Sequence, residues 1–155
     1  MPRTLTFERD VIFNADLPTV LEVLLGTEDY PEYIDNVESA EVIYKRESES
    51  EVSFKAKVSV FPFEYSVKTT KISNNKIIFE QRKGFFSLLN GEWRLTESPG
   101  QVKGIYIVSV KLPLFAAGKI IEKAISFYFP NMIQNFKDEV ERRFERTESL
   151  NLPNQ

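Results

Sequence analysis

The side chains placed to move protons in this sequence are Glu64, Tyr65, Lys68, Glu80, Arg82, Glu92 and Arg94, and the chain contains no histidine and no cysteine. Without histidine it lacks the side chain that titrates nearest neutrality and the commonest metal ligand. Without cysteine it has no thiol nucleophile and no disulfide, so nothing in it requires an oxidising compartment. A Ser-His-Asp site, a Cys-His site and an ordinary zinc site are therefore excluded, and neither a metal nor a cofactor is expected. Alternation along a strand sets Glu92 and Arg94 against Trp93, and Glu64 against Phe63 and Tyr65. With the aromatic rings inward, these charges face solvent and pair across strands. Only Tyr65 and Tyr128 then reach an apolar interior. A tyrosine, with a pKa of about 10, serves there as a proton donor but poorly as a base.

The elements that must position these groups follow from periodicity. Leu5, Phe7, Val11 and Phe13 alternate with polar residues, which predicts a half-buried strand over 4–13. Asn14-Ala15-Asp16 offers a cap before Leu17-Pro18, and Gly26 ends a short apolar helix. The acidic, aromatic run 27–34 predicts a second short helix, with Pro31 near its start. Strands follow over 37–45, 52–60, 63–72, 77–82, 85–96 and 104–112, with Phe61-Pro62-Phe63 as a turn or bulge. Asn74-Asn75 and Ser98-Pro99-Gly100 supply tight turns. From Gly118 to Arg146, apolar residues recur at steps of three and four, which predicts one amphipathic helix of roughly 40 Å. Strands meandering through short turns, with helices segregated, make an α+β domain. A sheet of about six or seven strands curls, and the long helix fills its concave side.

The 155 residues suffice for one domain, expected over 1–146 with a polar, frayed tail at 147–155. The start of the chain has no apolar run of signal-peptide length, and no stretch is apolar enough to span a bilayer, so a cytoplasmic protein is expected. Net charge is −3 but unevenly spread: residues 1–51 carry 13 acids and 4 bases, residues 52–85 carry 7 bases and 2 acids. Lys55, Lys57, Lys68, Lys71 and Lys76 make one sheet face mildly basic, which reads as a solvated surface that resists edge pairing; nothing calls for nucleic acid.

This element order resembles the helix-grip fold of the START-like superfamily, which includes lipid-transfer domains, plant pollen allergens and polyketide cyclases. Asp29-Tyr30-Pro31-Glu32-Tyr33 looks like the Tyr-Pro-x-aromatic motif of its coenzyme Q-binding and ribosome-association-toxin branch, which is also related to the polyketide cyclases. The stretch from Gly84-Phe85 to Gly91-Glu92-Trp93 resembles that branch's Gly-x-Phe and Leu-x-Gly-x-Trp strand. Lys111-Leu112-Pro113-Leu114-Phe115 departs from the polar Asn-Pro turn of the branch, so no quinone-chaperone or ribosome-related role is carried over.

The resemblance implies a cavity between sheet and helix that takes an apolar molecule: a lipid, isoprenoid, quinone or similar. The favoured expectation is non-catalytic binding or transport. A polyketide cyclase or aromatase, and a protein-interaction (ribosome-directed) module with a vestigial cavity, stay open beside it. A transient contact with a membrane or a protein is also left open. The expected walls are Phe54, Val58, Phe63, Tyr65, Phe79 and Trp93 from the sheet, and Ile121, Ile125, Tyr128, Phe129, Met132 and Phe136 from the helix. An empty apolar void of ~300 Å³ would cost about 7 kcal/mol, close to a domain's whole stability. Such a space is either filled or collapsed. Pro130 interrupts the helix hydrogen bonding and marks a hinge. Leu112, Leu114, Phe115 and Gly118 beside the helix start would form the entrance.

Overall fold

The computed structural model describes residues 3–150. Its seven strands are β1 (Thr4–Phe13), β2 (Val37–Lys45), β3 (Glu49–Val58), β4 (Phe61–Ser73), β5 (Lys76–Gly84), β6 (Leu88–Ser98) and β7 (Gln101–Lys111). They form one antiparallel sheet in the order β1-β7-β6-β5-β4-β3-β2. Helix α1 (Leu17–Leu25) and a 3-10 turn (Thr27–Glu32) separate β1 from β2, and helix α2 (Lys119–Leu150) closes the chain. This is the α+β helix-grip architecture, with the sheet curved around α2.

Local chemistry explains the boundaries. Asp16 caps α1 by accepting from the Thr19 amide at 3.1 Å, and the Gly26 amide closes its far end on the Glu22 carbonyl. The second short helix is 3-10 rather than α, and Pro31 stands near its end, not its start. The ring sits where Tyr33 and Ile34 reach back to the Tyr30 carbonyl and no donor is needed from residue 31.

Phe61-Pro62-Phe63 lies inside β4, and the turn before it is Ser59-Val60, with Ser59 at φ 57° and Val60 exposed. Pro62 is tolerated because its partner Lys57 turns its own amide to Asn36 of the opposite neighbour, while β5 pairs with β4 only as far as Tyr65. The hairpin at Asn74-Asn75 forms without positive φ, and a register shift between Lys71 and Ser73 accommodates it. Strand β7 begins three residues earlier than alternation suggests, at Gln101, because Ser98 pairs directly with it across the Pro99-Gly100 turn.

Helix α2 runs unbroken through Pro130 and continues to Leu150. The expected tail is thus helical over 147–150, where the Thr147 hydroxyl bonds the Arg143 carbonyl, while 151–155 lie outside the described residues. The half after Pro130 is tied to the body by several polar contacts. Asn135 Oδ1 accepts from the Asp35 amide at 3.0 Å, Lys137 Nζ donates to the Ile12 carbonyl at 2.6 Å, and Glu141 accepts from the Asn14 amide at 2.9 Å. Glu139, 8% exposed, is clamped by Arg142 and Arg143, whose hydrogen bonds hold its carboxyl below the usual range.

Candidate functional site

The concave face of the sheet and the underside of α2 enclose one uncharged cavity. Phe54 comes from β3, Tyr65, Val67 and Thr69 from β4, Ile77 and Phe79 from β5, Leu89 and Trp93 from β6, and Tyr106 from β7. Phe129, Met132 and Phe136, spaced three and four apart, cover it from α2, while Leu24, Thr27, Tyr30 and Val37 close one end. The space is about 60 Å³, well below the ~300 Å³ of small ligand sites, and a void of that size costs about 1.4 kcal/mol. The interior is thus largely closed by aromatic packing. Tyr30 stacks on Phe54 with centroids 5.8 Å apart, Trp93 meets Tyr106 at 4.9 Å, and Phe136 sets its edge on both Tyr30 and Trp93.

Glycines make this packing fit. A Cβ on Gly91 would sit 2.3 Å from the Ile107 carbonyl oxygen and 2.5 Å from the Phe79 ring. Phe79 is the cross-strand partner of Gly91, so the missing side chain lets the ring fold over β6 toward Tyr106.

The cavity's polar groups are hydroxyls and the Trp93 indole N–H. The hydroxyls of Tyr65 and Tyr128 share a hydrogen bond of 2.7 Å, and Tyr30 donates to the Leu24 carbonyl at 2.5 Å. Thr27 Oγ1 is buried with no partner among the described residues. Burial pushes Tyr65, Tyr30 and Tyr106 well above the ordinary tyrosine range, and Tyr128 adds to the effect on Tyr65. These groups stay protonated at neutral pH, so they can donate hydrogen bonds but cannot act as bases.

Of the residues expected on the walls, Phe54, Tyr65, Phe79, Trp93, Phe129, Met132 and Phe136 line the cavity. Phe63, Ile125 and Tyr128 are buried in the core instead, and Val58 and Ile121 are half-buried and pack against it. Leu24, Thr27, Tyr30, Val37, Val67, Thr69, Ile77, Leu89 and Tyr106 line the cavity too and were not expected there. For Tyr106 a signal was available: counting back from the Pro99-Gly100 turn sets it opposite Trp93.

The charged candidates lie outside. Glu80 pairs with Arg82 at 3.7 Å and Glu92 with Arg94 at 2.7 Å, along their own strands rather than across them. Glu64 does pair across strands, with Lys55, while Lys68 reaches Glu49. Of the residues expected at an entrance, Leu114 and Phe115 are exposed, but Leu112 is 4% exposed and belongs to the core. Aromatic contacts run inward from there: Phe115 meets Phe85 at 6.3 Å, Phe85 meets Phe86 at 5.1 Å, and Phe86 meets Tyr65 and the cavity-lining Phe129. No group of residues suited to hold a metal ion occurs among the described residues.

Comparison with known proteins places this geometry. No curated protein sequence matches the chain. Among solved structures, the ZhuI aromatase/cyclase of a Streptomyces species aligns with a TM-score of 0.79 at 17% identity, over 91% of this chain and 96% of its own. A START superfamily protein from Mycobacterium smegmatis aligns with a TM-score of 0.71 at 13% identity, over 92% and 98%. Norcoclaurine synthase from Thalictrum flavum aligns with a TM-score of 0.67 at 14% identity, over 90% and 87%. At such identities these likenesses concern the fold. The model of one sequence family, however, matches residues 13–141, which span α1, strands β2 to β7 and most of α2. The chain belongs to the family described as polyketide cyclase / dehydrase and lipid transport.

Proposed function

We propose that this protein binds and carries an uncharged apolar small molecule between its sheet and helix α2, without catalysing a reaction on it. The observation that carries this reading is the cavity lining. Aromatic and aliphatic side chains surround a few hydroxyls, with no charged group among them, and one buried hydroxyl, on Thr27, has no partner among the described residues. The ligand-contacting set is the seven expected residues that line the cavity together with Thr27, Tyr30 and Tyr106. Because the closed space is small, loading moves side chains. Met132 and Phe129 give way most readily, the former because its thioether chain is unbranched. The half of α2 before Pro130 swings at that residue while the half beyond stays tied down. The entrance is at Leu114, Phe115 and Gly118.

The cyclase reading keeps the support of the family description and of ZhuI's fold. It differs in requiring a group that takes a proton near neutrality, and the lining offers only tyrosines whose pKa values burial has raised.

Native mass spectrometry of gently purified protein, with extraction of whatever is bound, tests the carrier. A co-purifying apolar molecule is the expected result. Adding it back at a hundredfold excess over its Kd contributes about 2.7 kcal/mol, seen as a rise in Tm of roughly 5–10 °C. If nothing co-purifies and saturating lipids, isoprenoids and quinones leave Tm unmoved, the carrier reading fails. Chemical conversion of the added molecule would favour the cyclase instead.

A further inference from the structure

One surface of the molecule contrasts with the rest in both polarity and charge. Val60, Leu114, Phe115 and Ile120 are 85%, 72%, 86% and 86% exposed, and Phe127 is 57% exposed. The Phe115–Phe85 and Phe85–Phe61 ring contacts join the turn at Val60 to the 3-10 turn Leu114–Ala116. Ile120 and Phe127 stand two helical turns apart on the outer side of α2, so the apolar surface runs from this tip onto the helix.

Lysines frame it. Lys57, Lys83, Lys111, Lys119 and Lys123 are all exposed, and none forms an ion pair among the described residues. Between Glu97 and Asp138 the chain carries a single acid, Glu122, and Arg3 neutralises it at 2.6 Å. This basic, apolar region belongs to a protein of net charge −3 whose first 51 residues carry most of the excess acid.

We propose that this tip and the first turns of α2 form a docking surface for a lipid bilayer with anionic headgroups. Unpaired lysines attract such a surface, and exposed phenylalanine, leucine and isoleucine enter its headgroup region. The apolar side chains project from a turn rather than line a groove. A fluid bilayer accepts projections without a matching shape, whereas a protein partner would have to supply one. No helix among the described residues is long and apolar enough to cross a membrane, so the contact is peripheral. The proposal stands whether or not the cavity takes a ligand.

Flotation with phosphatidylcholine vesicles, with and without phosphatidylserine, tests it. The protein should float with the serine-containing vesicles only, and less so as salt rises. K119Q/K123Q should lower partitioning about thirtyfold, and L114S/F115S/I120S should abolish it. K71Q/K76Q, which removes two lysines elsewhere on the sheet, should lower it far less. Circular dichroism and Tm should stay unchanged in every variant, since the altered side chains are exposed or half-buried at the surface. Absence of flotation with anionic vesicles overturns the proposal, as does equal loss in the control pair. Retention of an acidic soluble protein in place of vesicles overturns it as well, by making the surface a protein interface.

Discussion

The hydroxyls of Tyr65 and Tyr128 lie 2.7 Å apart, joining the concave face of β4 to the underside of α2 where both rings are buried. Removing either hydroxyl leaves the other buried without a partner. Y65F and Y128F should each cost about 1–2 kcal/mol, and the double variant should cost less than their sum. Denaturant midpoints of the four proteins give the cycle, and strict additivity would show that the two hydroxyls are not coupled.

Tyr65, Tyr106 and Tyr128 are buried, and burial raises the pKa of each above its unfolded value. A raised acid favours the folded state below the unfolded pKa, and that stability is lost as pH climbs past it. Below pH ~10 the contribution is complete; above it, the unfolded chain releases protons that the folded one holds. Stability should then fall by about 4 kcal/mol per pH unit from these three groups alone. Tyr44 is the exception: it lies on the surface, bonded at 2.7 Å to Glu49, which raises its pKa in turn. Ultraviolet titration should show the buried tyrosines ionising together with unfolding. Gradual ionisation with native circular dichroism intact would contradict the burial.

Gly91 should not tolerate alanine. The new methyl would press on the Ile107 carbonyl oxygen and on the Phe79 ring, and the carbonyl belongs to a paired strand that cannot yield freely. A cost of about 2–3 kcal/mol follows, with displacement of Phe79 from the cavity wall. A fall in Tm, with the F79A/G91A pair recovering part of it, would confirm which neighbour resists. No recovery would assign the whole clash to the backbone.

Hydrogen exchange should divide α2 at Pro130. The segment beyond it is held by Asn135, Lys137 and Glu141, whereas the earlier segment has Arg3–Glu122 and the Tyr65–Tyr128 bond as its polar ties. Amides over 121–129 should exchange at least tenfold faster than those over 133–143. Equal protection on both sides would remove the hinge.

Much of this was legible in the sequence. The alternation of Leu5, Phe7, Val11 and Phe13 matches β1 at both ends, and the spacing of Phe129, Met132 and Phe136 identifies the cavity-facing edge of α2. Pro62 misled because its place in β4 depends on which side of the strand lacks a neighbour, and only the tertiary arrangement settles that. Thr27 and Tyr30 were missed as cavity residues for the same reason: a short 3-10 turn has no periodicity to show which side faces inward. Ile125 and Tyr128 share a helical stripe with the lining residues, yet the stripe is wider than the cavity, so they pack against core instead.

The place of β1 beside β7 bears on how the chain is made. The register pairs Phe13 with Val102 and Thr4 with Lys111, so the first strand synthesised waits for the last before its inner edge is covered. On the ribosome, the hairpins from β2 to β6 can zip in order behind one another, but the sheet closes only when β7 emerges, and α2 follows it. Pairing at such sequence separation is slow. Until it happens and α2 packs across the sheet, the apolar face of β1, with Val11 and Phe13, stays open to other chains and is the segment on which a chaperone would act first.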